Sequence, residues 1–328
     1  MTAPRETATR PFSRRRLLTA STATLAAAGL SGAAEHGVFA HEASPAASPE
    51  VQEMDRAQLE GIIQFTHPQK TYGYLPGFGS DENIAPLFGI DVATYREITA
   101  KFEANALAAA KELLADAAFA TRIDQLPFQP EQTVIVLGES TTDDLQSWFE
   151  ILRHALDPRR PQDQIQLINL AISGQTTTEA LVRFPFMLEM QPHWLLIMLG
   201  ANDAMRHGRQ ATKPRVSQEE TVKNFNEFRH LAETQSESAT NLVWLTPTSV
   251  NEEIQQAYPP AQQAQFSVAN DDVVPTGEAL RSQFDPVVDL QATFGVPANP
   301  EFVPTDGIHP SIAGHKAIVT AVVEHLTA

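Results

Sequence analysis

The sequence predicts a doubly wound α/β fold, a parallel sheet sandwiched between two layers of helices. Three observations carry that prediction. The short apolar runs 133–137, 165–172, 194–199 and 242–245, broken only by Gln166 and Asn169 in the second, do not alternate, as in strands buried on both faces. Between them lie segments whose apolar residues recur at steps of three and four, the spacing of helices that pack on a sheet. The first three runs also open into Gly-, Ser- or Asn-bearing turns, at the strand ends where open α/β sheets place their ligands.

Composition narrows the function. The chain has 328 residues, enough for one large α/β domain or two small ones. A net charge of −17 argues against a nucleic-acid partner, since phosphate backbones are bound by clustered Lys and Arg. With no cysteine, disulfides, thiol catalysis and thiolate-bound metals are excluded. The ten histidines form no His-x-His or His-Glu-x-x-His pattern, so neither a metal nor a cofactor is expected.

Taken in order, residues 1–40 read as an export signal. Ser13-Arg14-Arg15-Arg16-Leu17-Leu18 puts paired arginines before an Ala-rich apolar stretch too short and too polar for a permanent membrane span. It resembles a twin-arginine signal, which implies the Tat translocase as a partner and an extracellular, periplasmic or cell-envelope location. Loss of residues 1–40 removes five arginines and two glutamates and leaves a mature chain near −20. Residues 41–53 have linker composition.

Residues 54–126 read as a helical N-terminal extension. Its first part, 54–90, is Gly- and Pro-rich and expected to be irregular; Gly77-Phe78-Gly79 lacks the third glycine and preceding strand of a dinucleotide loop. A long helix is expected over 91–118, capped by Asp91, with the stripe Tyr95, Ile98, Phe102, Ala106, Ala109, Leu113 packed on the body of the molecule.

Residues 127–328 form the main domain. The run 133–137 is the first strand, and Gly138 allows a tight turn that leaves the Ser140 hydroxyl at its carboxyl end. A helix follows around Trp148, Phe149, Leu152 and Leu156, then a second strand over 165–172 that ends at Ser173-Gly174. After a helix over 178–190, the third strand opens into Gly200-Ala201-Asn202-Asp203. A locally basic loop (Arg206, His207, Arg209, Lys213, Arg215), a helix over 217–233 and the strand 242–245 come next. The segment 249–305 is a long polar insert holding a short fifth strand at 287–290, either a solvated excursion or a specificity loop. Asp306-Gly307-Ile308-His309-Pro310 then leads into a last helix bearing Ile312, Ile318, Val322 and Leu326. Pro310 pushes His309 towards extended backbone, and Asp306 is close enough in sequence to reach its imidazole, the supporting half of a catalytic triad.

Gly138-Glu139-Ser140, Ser173-Gly174, Gly200-x-Asn202-Asp203 and Asp306-x-x-His309-Pro310 occur in one order, three after buried strands and one before the last helix. From residue 133 to the C-terminus this resembles the SGNH (GDSL-type) hydrolase family. The resemblance implies a three-layer α/β/α sandwich around a five-stranded, flavodoxin-like parallel sheet. It also implies Ser140 as nucleophile, His309 as general base and then acid, and Asp306 as its orienting partner. The implied oxyanion hole is the Ser140 and Gly174 backbone N–H groups and the Asn202 side-chain amide. Ser140 at a helix start and Gly174 without a Cβ suit that role. Asp203 is expected to hold its loop. Glu139 departs from the family, which usually has Asp there, and is expected to brace its own turn.

The expected activity is that of a secreted serine esterase acting on short-acyl or acetylated carbohydrate or lipid esters through an acyl-enzyme. Two alternatives stand beside it: acyl transfer to a sugar hydroxyl at the same site, and a non-catalytic carbohydrate- or envelope-binding protein. The Arg206–Arg215 loop is either solvated or a contact for anionic substrates.

Overall fold

A computed structural model describes residues 55–328 apart from 76, 209, 237 and 238. The export signal and linker expected over 1–53 lie outside the described residues. So does Arg209 of the basic loop.

Against the expectation of irregular chain over 54–90, most of this stretch is helical, and the described residues over 73–80 are turn and bend. Asp55 caps helix α1 (Arg56–Phe65) in a capping box with Gln58. Pro68 opens the short helix α2 (Pro68–Tyr72), and α3 (Asp81–Ile84) follows. Pro68 sits at the start of α2 and Gly73, Gly77 and Gly79 lie between α2 and α3, where they are compatible with helix, while Gly61 is tolerated inside α1. Asp91 caps α4 (Val92–Leu114), which ends four residues earlier than expected. Asp116 accepts from Ala118 N and starts a separate helix, α5 (Ala117–Gln125). Leu59, Ile63, Ile84, Tyr95, Ile98 and Phe102 bury a small core between α1, α3 and α4.

The main sheet is built from β1 (Thr133–Gly138), β2 (Gln166–Asn169), β3 (Trp194–Met198), β5 (Asn241–Leu245) and β7 (Val287–Val288). All five are parallel, in the order β2-β1-β3-β5-β7. This is the three-layer, flavodoxin-like arrangement expected. β2 is shorter than the apolar run 165–172, but Leu170 N and Ile172 N still bond to Val136 O and Gly138 O. The chain therefore stays alongside β1 up to Ser173.

Residue alternation along the strands feeds two cores. Val134, Val136, Leu196, Met198, Val243 and Leu245 face α4, α5, α7 (Trp148–Arg159) and α15 (Ile312–Leu326). Ile135, Leu137, Leu195, Ile197 and Trp244 face α8 (Thr177–Leu188), α10 (Gln218–Gln235) and α13 (Asn270–Gln283). Both sets are essentially inaccessible to water, and each large side chain so buried contributes about 1.5–3 kcal/mol. Apolar runs that do not alternate follow directly from having helices on both faces.

The insert 249–305 is packed, not a solvated excursion. It contains α11 (Glu252–Ala257), α12 (Pro259–Ala264), β6 (Phe266–Ser267), which pairs antiparallel with β4 (Arg206–His207), and then α13 and α14 (Leu290–Phe294). Val250, Val268 and Val273 from the insert share a buried cluster with Ala204 and Ile308. The cluster ties the insert to the turn that carries His309.

Candidate active site

Strand order explains how separated residues meet. β1 lies between β2 and β3, so the chain leaving β1 at Gly138 is flanked by the Ser173-Gly174 loop and by Gly200–Asn202. The sheet reverses its winding between β1 and β3, the position where such folds leave a crevice for ligands. Ser140 begins a single helical turn, α6 (Ser140–Asp143), and is nearly buried. One turn carries little macrodipole, so any stabilisation of an oxyanion there must come from individual N–H donors.

The His309 turn is built by one carboxylate. Asp306 Oδ1 accepts the backbone N–H groups of Ile308 (2.9 Å) and His309 (2.8 Å), while Oδ2 lies 2.5 Å from His309 Nδ1. Because a carboxylate only accepts, Nδ1 carries the hydrogen and Nε2 is left to face the serine. His309 Nε2 is 2.9 Å from Ser140 Oγ. Gly307, between them, has φ +74°, and a Cβ there would lie 2.2 Å from Asn251 O of the insert. The Asn251 N–H also donates to Gly307 O at 2.7 Å, so the insert clamps this turn from outside.

The charges are coupled. Burial alone would raise the Asp306 carboxyl, but the charge and hydrogen bonds of His309 outweigh it and hold it low. Burial alone would lower His309; the Asp306 charge and hydrogen bond, helped by Glu139, raise it instead. The imidazole is thus made a better proton acceptor than a free histidine.

Asn202 lies on α9 (Ala201–Ala204), with its Nδ2 2.6 Å from Glu139 Oε2. Glu139 therefore holds its own turn, where Ser140 and Thr141 bond to its carboxylate, and also reaches across to the neighbouring strand end. Its carboxyl is buried, which pushes its pKa up, and Oε2 also lies 3.3 Å from Ser140 Oγ. An amide nitrogen has two hydrogens, so Asn202 keeps one donor beyond the one given to Glu139. Gly174 has φ +78°, and an added Cβ would meet nothing within 4 Å. Backbone conformation, not crowding by neighbouring atoms, accounts for glycine there.

Asp203 holds its loop, as expected. It accepts Thr177 N (2.9 Å), Thr177 Oγ1 and Thr221 Oγ1 (3.0 Å), while burial raises its carboxyl. Two arginines of the basic loop have partners within the molecule, while His207, Lys213 and Arg215 are exposed, as in a solvated loop. Arg206 pairs with Asp272 at 2.7 Å, and Arg215 donates to Gly174 O at 2.7 Å and pairs with Glu179.

Sequence reasoning missed four contributors. The Phe65 ring lies 4.7 Å from the His309 ring. His67 Nδ1 and Lys70 Nζ both contact Asp143 Oδ1, at 2.7 and 2.5 Å. Asp143 Oδ2 accepts Ser173 N and Oγ, each at 2.8 Å. The partners are more than 70 residues apart for Lys70 and His67, so no local spacing could pair them. A signal was present in the two adjacent acids Asp143-Asp144 just after the serine.

Comparison with known proteins gives the family. The model of the GDSL-like lipase/acylhydrolase family matches residues 136–317, more than half of the chain, and the chain belongs to that family. It is 33% identical over 75 residues to thioesterase 1/protease 1/lysophospholipase L1 of Escherichia coli K12, covering 23% of this chain and 36% of that protein. It is 39% identical over 84 residues to an arylesterase of Vibrio mimicus, covering 24% and 41%. The chain thus spans about two fifths of the length of these curated relatives. A catalytic mutant of an acetylxylan esterase from Geobacillus stearothermophilus superposes with a TM-score of 0.47 at 18% identity, over 61% of this chain and 95% of that one.

Proposed function

We propose that this member of the GDSL-like family hydrolyses carboxylic esters through an acyl-enzyme on Ser140. The observation that carries the reading is the continuous relay from Asp306 Oδ2 to His309 Nδ1 and from His309 Nε2 to Ser140 Oγ, at 2.5 and 2.9 Å. As Oγ attacks the ester carbonyl, its proton passes to Nε2, and Asp306 stabilises the imidazolium that forms. The carbonyl oxygen becomes an oxyanion; the Ser140 and Gly174 N–H groups and the second Asn202 amide hydrogen are its donors. His309 then returns the proton to the departing alcohol. Water takes the alcohol's place and gives a proton to Nε2 as its oxygen bonds to the acyl carbon; the bond from that carbon to Oγ then breaks, Nε2 passes the proton to Oγ, and the acid leaves with Ser140 restored.

Short-acyl and acetylated esters are the proposed substrates, and the similarity to an arylesterase supports aryl esters as a starting class. Export is proposed from the order of paired arginines, apolar run and small residues in 13–40. The function is tested with p-nitrophenyl acetate and a fluorophosphonate probe. Wild-type turnover with labelling at Ser140 supports the reading. An unlabelled Ser140 in folded protein would end it.

A further inference from the structure

The N-terminal helical segment lies outside the residues that match the family model, yet its side chains enter the proposed site. Lys70 Nζ reaches two strand ends at once. It contacts Asp143 Oδ1 after β1 and lies 3.3 Å from Ala171 O after β2. His67, whose side chain is 2% exposed, holds the same Asp143 oxygen through Nδ1. The other oxygen of Asp143 binds Ser173 N and Oγ, immediately before Gly174. Burial would raise the Asp143 carboxyl, but the His67 hydrogen bond and the Lys70 charge outweigh it and bring it down to about 2.

We propose that Lys70 and His67 are positioning residues for the reaction: they fix Asp143, and through it the Ser173-Gly174 loop facing Ser140. The inference rests on Ser140 being the nucleophile and Gly174 an oxyanion donor. A carboxylate anchored by four donors at 2.5–2.8 Å has one position, so the loop bound to it has one position too. Without the ammonium, the buried carboxylate loses its full charge partner and its hold on Ser173 loosens. An oxyanion donor displaced by about 1 Å costs up to about 10²-fold in rate while leaving ground-state binding nearly intact. The segment also sets Phe65 against the His309 ring, so both halves of the site touch it.

The test uses the full chain and expresses kcat per serine titrated to completion with the fluorophosphonate probe. A merely structural role would lower the number of titratable serines without changing turnover at each. Lys70→Met is expected to lower kcat per titrated site by about tenfold or more, with KM for p-nitrophenyl acetate changed less than about threefold. Lys70→Arg, which keeps the charge, is expected to recover most of the loss. A Lys70→Met value within about twofold of wild type, or Lys70→Arg no better than Lys70→Met, overturns the proposal. If Lys70→Met gives no titratable serine, Ser173→Ala cuts the same chain of contacts at its other end. Its kcat per site is expected to fall about fivefold, the worth of one hydrogen bond, and an unchanged value overturns the proposal. Failure of the wild-type protein to label at Ser140 would instead refute the esterase reading.

Discussion

Two carboxylate–imidazole pairs lie near Ser140, their imidazoles carried there by the same stretch of C-terminal chain, and they are set in different surroundings. Asp306 and His309 lie 2.5 Å apart on the turn before α15; Asp144 and His315 lie 3.2 Å apart, with His315 on α15 itself. The His309 and Asp306 side chains are 29% and 12% exposed, whereas those of His315 and Asp144 are 0% exposed. The second nitrogen of His309 meets the Ser140 hydroxyl; that of His315, Nδ1, is buried without a partner among the described residues. Asp144 is also taken up by Gln64 Nε2 and Gln146 N. A His–Asp pair is therefore not chemistry by itself. It becomes so where the free nitrogen meets a hydroxyl at an accessible rim, and elsewhere it fastens one part of the fold to another.

The sharpest break of the comparison is at the exposed pair and its target. Ser140→Ala or His309→Ala is expected to cost about 10⁴-fold or more in kcat on p-nitrophenyl acetate, with Tm close to wild type. Retained turnover in either variant would make the two pairs equivalent and remove the triad. Asp306→Asn is next, at about 10³–10⁴-fold, because an amide can present the wrong atom to Nδ1 and lose the favoured tautomer.

The same variant fixes the sign of the pH response. The base works neutral, so kcat/KM rises with pH through the His309 pKa, which Asp306 and Glu139 raise above the ordinary value against the effect of burial. The wild-type acid limb is expected above about pH 6.5. Removing the Asp306 charge leaves burial less opposed, so the limb in Asp306→Asn should move to lower pH. A limb that stays or moves up would show that Asp306 does not set the base.

Asn202→Ala follows, with an expected loss of about 10²–10³-fold in kcat, the usual effect of deleting one oxyanion donor. A loss under about threefold would mean that the amide serves Glu139 alone. This residue also shows how far the sequence could be read. The strands were visible because helices on both faces force apolar runs, and Asp306 with His309 were visible because they stand three positions apart on one turn. The partner of Glu139 was not. Its contact with Asn202 spans 63 residues, and the extra methylene relative to Asp was read as a change within its own turn. Likewise His67, Lys70 and Asp143 meet only because α1 and α2 fold over the sheet edge, and glycines and prolines in that segment were read as irregular chain. The start of α5 was legible at the Asp116 cap but was merged into the long helix before it. Local turns and periodicities can be read in one dimension; charge partners brought together by strand order cannot.

The smallest expected effect on activity belongs to the buried pair. His315→Ala leaves the Asp144 carboxylate buried with Gln64 Nε2 and Gln146 N but without its imidazole. Removing one partner of a buried pair costs several kcal/mol when the charge is left bare, and the two remaining donors reduce that here to about 2–3 kcal/mol. For a folded unit of this size the Tm should drop by about 5–10 °C. Turnover at 25 °C, per titrated serine, should stay within about threefold of wild type, because His315 touches neither Ser140 nor the oxyanion donors. Thermal melts and active-site titration on the same preparation separate the two quantities. A tenfold or greater fall in kcat per site, with Tm unchanged, would mean that the sealed pair works on the reaction and that exposure is not what divides the two.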